Sequence, residues 1–338
     1  MTMTRPTNMA PHAQPAQPPL QPERPGSPPS SQPAWAWLLL ALAYYVVGCL
    51  MHLQFSLWLV RQRDTLFGHL AYSDLMPMLA AVFAVTLGAW IARQIWRSPQ
   101  PGVSMGYWLL WLLSFGLIDL YLTYSMNEYF HYPQYAFLAW LLAKAIDPDR
   151  SRWAVGRVLF WTTLLGIGDE LLQYLWITTI YSDYMDFNDF LTNLVAAAAG
   201  MLLYYVPAPS RNEHTPAVRP KLEWGVSAVL ATLVLAGFLS GHLVQTPAGK
   251  IPPGGIAQRA DGQWQLFMQR GPDFYGSMQK GPRHGAYHVL RPLPAVLIMA
   301  VAALVFASYA VARTQRPRRP TQMADAPAEV SASGSGGS

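Results

Sequence analysis

Five carboxylates sit where an otherwise apolar chain can least accommodate charge. Glu128 opens one apolar run (127–146), Asp169 and Glu170 interrupt the next (153–176), and Asp186 and Asp189 open a third (187–206). Ionisable groups at membrane depth are costly to hold and are seldom accidental. Their spacing follows a helix. Glu128, His131 and Tyr135 fall at i, i+3 and i+7, one face, and Asp186, Asp189 and Asn193 repeat that spacing. Gln173 lies one turn beyond Asp169 and Glu170. Three such stripes can converge on one polar pocket. Within it Glu170, His131 and Glu128 have the side chains for general acid–base work. Asp169, Gln173, Asp189, Asn193, Tyr135 and Asp186 supply hydrogen bonds for a bound group. The competing reading is interhelical glue, in which these residues bond only one another and headgroup water, with Asp186 a plain helix N-cap. Asp119, in another apolar run, fits either role.

The charge balance of this set is uneven. Up to five acids face one evident base, His131, and the short adjoining connections 126–132 and 177–186 hold no Lys or Arg. Shared protons, a cation, a cationic ligand group or an arginine from a longer loop must compensate, and Arg270, Arg283 and Arg291 are the candidates for the last role. One histidine among carboxylates is chemically suited to a divalent metal. A second histidine, usual in such sites, is missing from these stripes, so no metal and no cofactor is assigned.

The elements that must carry these residues are membrane helices. Apolar residues make up 52% of the 338, and charged residues only 12%, about half the share of soluble domains. Runs of about 20 apolar residues cross a bilayer as helices. Eight qualify: 35–58, 75–95, 107–125, 127–146, 153–176, 187–206, 224–243 and 293–312. The predicted fold is therefore an all-α, polytopic transmembrane bundle of about eight spans, with a small outer loop or cap between the last two. Lys and Arg cluster after the second run, between the fourth and fifth, between the sixth and seventh, and after the eighth. By the positive-inside rule both termini are cytoplasmic, and the acid-bearing ends and the loop 244–291 lie outside. The net charge of +5 reflects this topology and gives no nucleic-acid surface. Ala196, Ala197 and Gly200, continuing the Asp189 face, form a small-residue stripe that permits close helix approach. Tyr204 and Tyr205 have the composition of interface anchors.

The organisation follows: a proline-rich cytoplasmic tail with no fold of its own (1–33), a six-helix membrane core (34–206), two further helices flanking the loop 244–291 (207–312), and a basic, then Ser/Gly-rich cytoplasmic tail (313–338). Trp264–Gln269 has the pattern of a strand within the loop. Cys49, the one cysteine, excludes an internal disulfide and a cysteine metal cluster and reads as a small core residue. Gly102-Val103-Ser104-Met105-Gly106 matches the nucleophile-elbow pattern, but no strand precedes it, and catalysis there is set aside. His284 and His288, four apart among Gly and Pro, are likewise set aside as a metal pair.

Three segments together resemble the VanZ-like family of bacterial membrane proteins. Asn127-Glu128-Tyr129-Phe130-His131-Tyr132-Pro133-Gln134-Tyr135 is similar to its acidic-x-x-His segment, Asp169-Glu170-Leu171-Leu172-Gln173 to its Asp-Glu-x-x-Gln, and Asp189-Phe190-Leu191-Thr192-Asn193 with Gly200 to its Asp-x-x-x-Asn and later glycine. They occur in family order over roughly 107–206. Where the family carries an arginine ahead of the last motif, this chain has Tyr181-Ser182-Asp183-Tyr184. The resemblance implies a multi-pass protein of the bacterial cytoplasmic (inner) membrane, of a family associated with glycopeptide antibiotic resistance and the cell envelope. The expected role is to bind or process a lipid-linked envelope component at the outer face. The alternatives are a membrane-embedded acid/base or metal-dependent enzyme, a non-catalytic assembly subunit that meets a membrane-protein partner through its outer loop or tails, and a proton-coupled transporter.

Overall fold

The computed structural model describes residues 33–61, 72–151, 154–177, 184–207, 220–245 and 253–313. The proline-rich and Ser/Gly-rich tails, the 208–219 connection and the Tyr181–Asp183 departure from the family pattern lie outside the described residues. What is described is mostly helical. In chain order the helices are α1 (Ala34–Arg61), α2 (Tyr72–Arg97), α3 (Pro101–Tyr121), α4 (His131–Ile146), α5 (Val155–Leu172), α6 (Phe187–Tyr205), α7 (Lys221–Leu239), α8 (Pro292–Ala307) and the short α9 (Tyr309–Ala312). Proline stands in the first turn of α3 and α8, where its missing N–H removes no helical bond. Among the described residues four helical stretches are long and apolar enough to cross a membrane: Ala34–Met51, Pro101–Tyr121, Lys221–Leu239 and Pro292–Ala312. Their leucines and valines face outward (Leu304 is 72% exposed), as lipid-facing helices require. Helix α4, with 16 residues, is shorter, and α5 and α6 carry the buried polar residues.

Helix α6 is the centre of the packing. Nearly all of its residues are buried, and α3, α4, α5 and α8 surround it. The small-residue stripe sets its distance from α4. Ala196 and Ala197 are fully buried, and a Cβ on Gly200 would lie 1.9 Å from the Ala136 carbonyl oxygen, so only glycine permits this approach. A similar constraint acts on α5, where a Cβ on Gly166 would meet Asn193 and Tyr135 at 3.1–3.3 Å. Helix α1 packs on α4, with Gly48 against the Gln134 side chain.

Three details correct the sequence reading. Glu128 lies outside α4, in a 3-10 turn (Met126–Phe130) that the helix follows. Tyr204 and Tyr205 are buried and hydrogen-bond Asp147, so they anchor a loop and not the bilayer interface. The Gly102–Gly106 match lies inside α3, where the Ser104 hydroxyl pairs with Ser98 at 2.8 Å and Tyr309 at 3.2 Å.

Between α7 and α8 five short strands form two sheets. β1 (Leu243–Gln245), β2 (Ile256–Gln258) and β3 (Trp264–Gln269) take the order β1-β3-β2, with β1 parallel and β2 antiparallel to β3. β3 covers the residues whose pattern predicted a strand. β4 (Gln279–Gly281) and β5 (Gly285–Tyr287) form a hairpin. It docks at the C-terminal end of α3: Arg283 N–H, in the hairpin turn, donates to the Tyr124 carbonyl at 3.2 Å, and His288 N–H, just after β5, to that of Tyr121 at 2.7 Å.

Candidate functional site

The N-terminal ends of α4 and α6 and the C-terminal end of α5 meet in one polar cluster. From α4, His131 Nδ1 lies 2.7 Å from Asn193 Oδ1 on α6 and 3.4 Å from Glu170 Oε1 on α5. Asn193 Nδ2 donates to the same Glu170 oxygen at 3.1 Å. The donation to Glu170 fixes which end of the amide is nitrogen. Asn193 Oδ1 therefore accepts, and His131 Nδ1 carries the hydrogen. All three side chains are buried, at 6%, 6% and 1% exposure for His131, Glu170 and Asn193.

Asp169 faces the other side of α5. Its Oδ2 accepts from Tyr135 at 2.5 Å and from the Gln134 amide at 3.5 Å, and the Cys49 thiol of α1 lies beside the same carboxylate. Cys49 is a buried core residue, as its place in an apolar run predicts. Gln173 opens a π-helical turn, Gln173–Ile177, and its N–H reaches both Asp169 and Glu170 carbonyls. Such widened turns in α-helices occur frequently at functional sites.

Asp189, one turn before Asn193, lies within electrostatic reach of His131 and of Asp169. Among the described residues its Oδ1 is sealed from solvent and has no hydrogen-bond partner, as is also true of Asp169 Oδ1. Buried carboxylate oxygens normally have donors.

The remaining candidates line the approach. Asp186 is the N-cap of α6: one oxygen accepts from Asn188 N–H at 2.8 Å, the other from Tyr184 at 3.1 Å. Burial, then repulsion from Asp189, pushes the Asp186 carboxyl up to about 8. Glu128 is given over to local structure. It closes a capping box with Ser125 and accepts N–H bonds from Tyr124 at 3.0 Å and Ser125 at 3.2 Å. It is within electrostatic reach of Asp186 and Asp189, but no contact joins it to His131 or Glu170 among the described residues.

The compensating arginine is placed elsewhere. Arg283 Nε pairs with Asp119 at 3.3 Å and with Tyr129 OH at 3.0 Å, His284 Nε2 joins Asp119 at 3.3 Å, and Tyr129 donates to the same carboxylate. Asp119 thus holds the hairpin and stands apart from the cluster. Arg270 and Arg291 lie over the rings of Phe274 and Tyr275, and Tyr275 is within reach of Asp186. Among the described residues no Lys or Arg forms an ion pair with Asp169, Glu170 or Asp189; the pairs found engage Glu223, Asp261 and Asp119.

Sequence reasoning missed Asn188. Its amide donates to the carbonyls of Leu122 at 2.9 Å and His288 at 2.7 Å and accepts from Leu290 N–H at 2.9 Å, tying α3, α6 and the entry to α8 together. Nothing in its local pattern marks it, because its partners lie 66 to 102 residues away.

No protein-family model matches the chain, and no curated protein and no solved structure matches it either.

Proposed function

We propose that this chain is an eight-span, VanZ-like protein of the bacterial cytoplasmic membrane, with both termini inside, that binds a lipid-linked envelope component at its outer face. The cluster of His131, Glu170, Asn193, Asp169 and Asp189 is the binding element. The observation that carries this reading is the convergence of three helices on buried, acid-rich hydrogen-bonding groups that, among the described residues, pair with no lysine or arginine. Carboxylates, an amide and an imidazole hydrogen-bond hydroxyl and ammonium groups, so the recognised portion is a hydroxyl- or amine-bearing headgroup, its acyl chains lying among the apolar helices. Supporting the topology, the connections poor in Lys and Arg approach one another and the 253–291 segment. Tyr184 bonds Tyr287 across 3.1 Å, and Arg283 bonds Tyr124. These segments must share one side of the membrane, as the alternation of charges requires. In this reading 244–291 is the outer cap.

A second reading, a membrane-embedded acid–base enzyme, is favoured by the way Asn193 orients the His131 ring beside Glu170. A base held by a third group is the arrangement such catalysis uses.

Glu170→Gln tests both readings. It keeps shape and most hydrogen bonding while removing the charge. The expected result is loss of complementation in a deletion strain and loss of co-purifying envelope lipid by native mass spectrometry, with thermal unfolding close to wild type. Wild-type function in this variant would reduce the cluster to helix glue.

A further inference from the structure

We propose that His131, Glu170 and Asp189 form a binding site for one divalent cation of intermediate hardness, of the Zn²⁺ or Mn²⁺ kind. The site stands on its own geometry and does not depend on the lipid reading. A ring nitrogen of His131 and one oxygen each of Glu170 and Asp189 all lie within 4.8 Å of one another. Donors bound at about 2.1 Å to a common ion are separated by about 3 to 4 Å, so small side-chain rotations complete the set. The donor set, one nitrogen and two carboxylates, suits zinc and manganese and excludes the soft, thiolate-seeking ions.

The second observation is the unused capacity of Asp189. Among the described residues its Oδ1 is sealed from solvent and has no hydrogen-bond partner, although the Tyr132 ring lies within electrostatic reach. It lies within reach of His131 and is repelled by Asp169. A carboxylate used as helix glue would have recruited a donor, as Asp186 and Asp119 have done. A dication supplies the missing partner and offsets two of the negative charges that no lysine or arginine meets among the described residues.

Asn193 completes the site as an orienting residue. Metal-bound histidines almost always donate the other ring N–H to an acceptor that fixes the ring. The Asn193 carbonyl oxygen takes that place at 2.7 Å from His131 Nδ1, while the Asn193 amide nitrogen holds Glu170 at 3.1 Å. This makes Nε2 the ligating nitrogen and requires the ring to turn from its position with Nδ1 3.4 Å from Glu170. One side chain therefore positions two ligands, and Gly166 leaves the room for it.

The test uses the full-length protein in detergent, stripped with EDTA, dialysed and titrated with Zn²⁺ and separately with Mn²⁺. Metal content by plasma mass spectrometry and thermal unfolding are the readouts. One ion per chain is expected in the wild type, with an unfolding temperature that rises with free metal by mass action. Asp189→Asn and Glu170→Gln, which keep shape, should each weaken binding at least tenfold and remove the metal-dependent rise. Asn193→Ser should weaken it about 10- to 100-fold, the range of groups that orient ligands. Asp261→Asn, on an exposed loop, should change nothing. Should a variant fail to fold, the wild-type stoichiometry and the Asn193→Ser shift still decide. Less than a tenth of an ion per chain at saturating metal in the wild type would overturn the site, as would undiminished binding in folded Asp189→Asn. Absence of retained envelope lipid in a wild-type protein that binds metal would sink the lipid reading alone.

Discussion

At the C-terminal ends of α4 and α6 a buried aspartate is met on every side. Asp147 Oδ1 accepts from Ser151 N–H at 2.7 Å, Oδ2 from Tyr205 at 2.8 Å, and its carbonyl from Tyr204 at 2.8 Å. Arg313 stands close by, bonding the carbonyls of Tyr205 and Arg150 at 3.3 and 3.2 Å. At the other ends of the same helices Glu170, Asp169 and Asp189 share one imidazole, two amides and a tyrosine, and among the described residues two of their oxygens have no donor. Both clusters are buried between the same helices, so packing cannot account for the difference. The balanced one has the properties of a structural joint. The unbalanced one keeps unmet acceptor capacity in a buried place, which a network serving stability alone would have filled.

The largest effect should come from what both ends share. Gly200→Val places a branched side chain where even a Cβ meets the Ala136 oxygen at 1.9 Å. Forced separation of α4 and α6 should cost more than about 3 kcal/mol and eliminate the monodisperse peak in fluorescence-detected gel filtration. A well-folded Gly200→Val protein would mean that the close approach is not what aligns the two clusters.

A smaller effect separates them. Asp147→Asn turns one acceptor into a donor facing Ser151 N–H or Tyr205, and should lower stability by about 1 to 3 kcal/mol. Lipid retention and metal binding per folded molecule should be unaltered. Glu170→Gln should do the reverse. If Glu170→Gln proves the more destabilising in thermal unfolding, the distinction between joint and site is lost.

The smallest concerns the rim. Folded Asp186 holds its proton up to about 8, whereas an unfolded aspartate releases it near 3.8. Between those values the folded state binds more protons, so its stability falls as pH rises. The contribution is full below about pH 4 and gone by about pH 8. Asn is as good an N-cap as Asp and has nothing to titrate, so Asp186→Asn should flatten unfolding temperature against pH in that window. An unchanged slope would assign the dependence to the neighbouring carboxylates Glu128 and Asp189.

How far the site was legible can be judged from single residues. His131, Glu170 and Asn193 were placed together because helical spacing fixes a face and the cost of burial makes a polar face seek partners. The Gly200 stripe was legible for the same reason. Glu128 was misread: i, i+3 spacing does not tell an α-helix from the 3-10 turn ahead of it, where the carboxylate caps its own backbone. Arg283 is a candidate in the sequence to neutralise the cluster, but its partner is Asp119. That pairing depends on where a hairpin 160 or so residues downstream comes to rest, which no local pattern encodes.

The sequence by itself determined the helices, the apolar character of those that can meet lipid, and the polar faces that cannot. These are properties of composition and of a 3.6-residue period, carried by each segment alone. Only the tertiary structure decided which acid is paired and which is not. It gave Asp119 an arginine and Asp147 two tyrosines, and among the described residues it left an Asp189 oxygen without a donor. Hydrogen bonds act over about 3 Å, and only folding brings segments a hundred residues apart within that range.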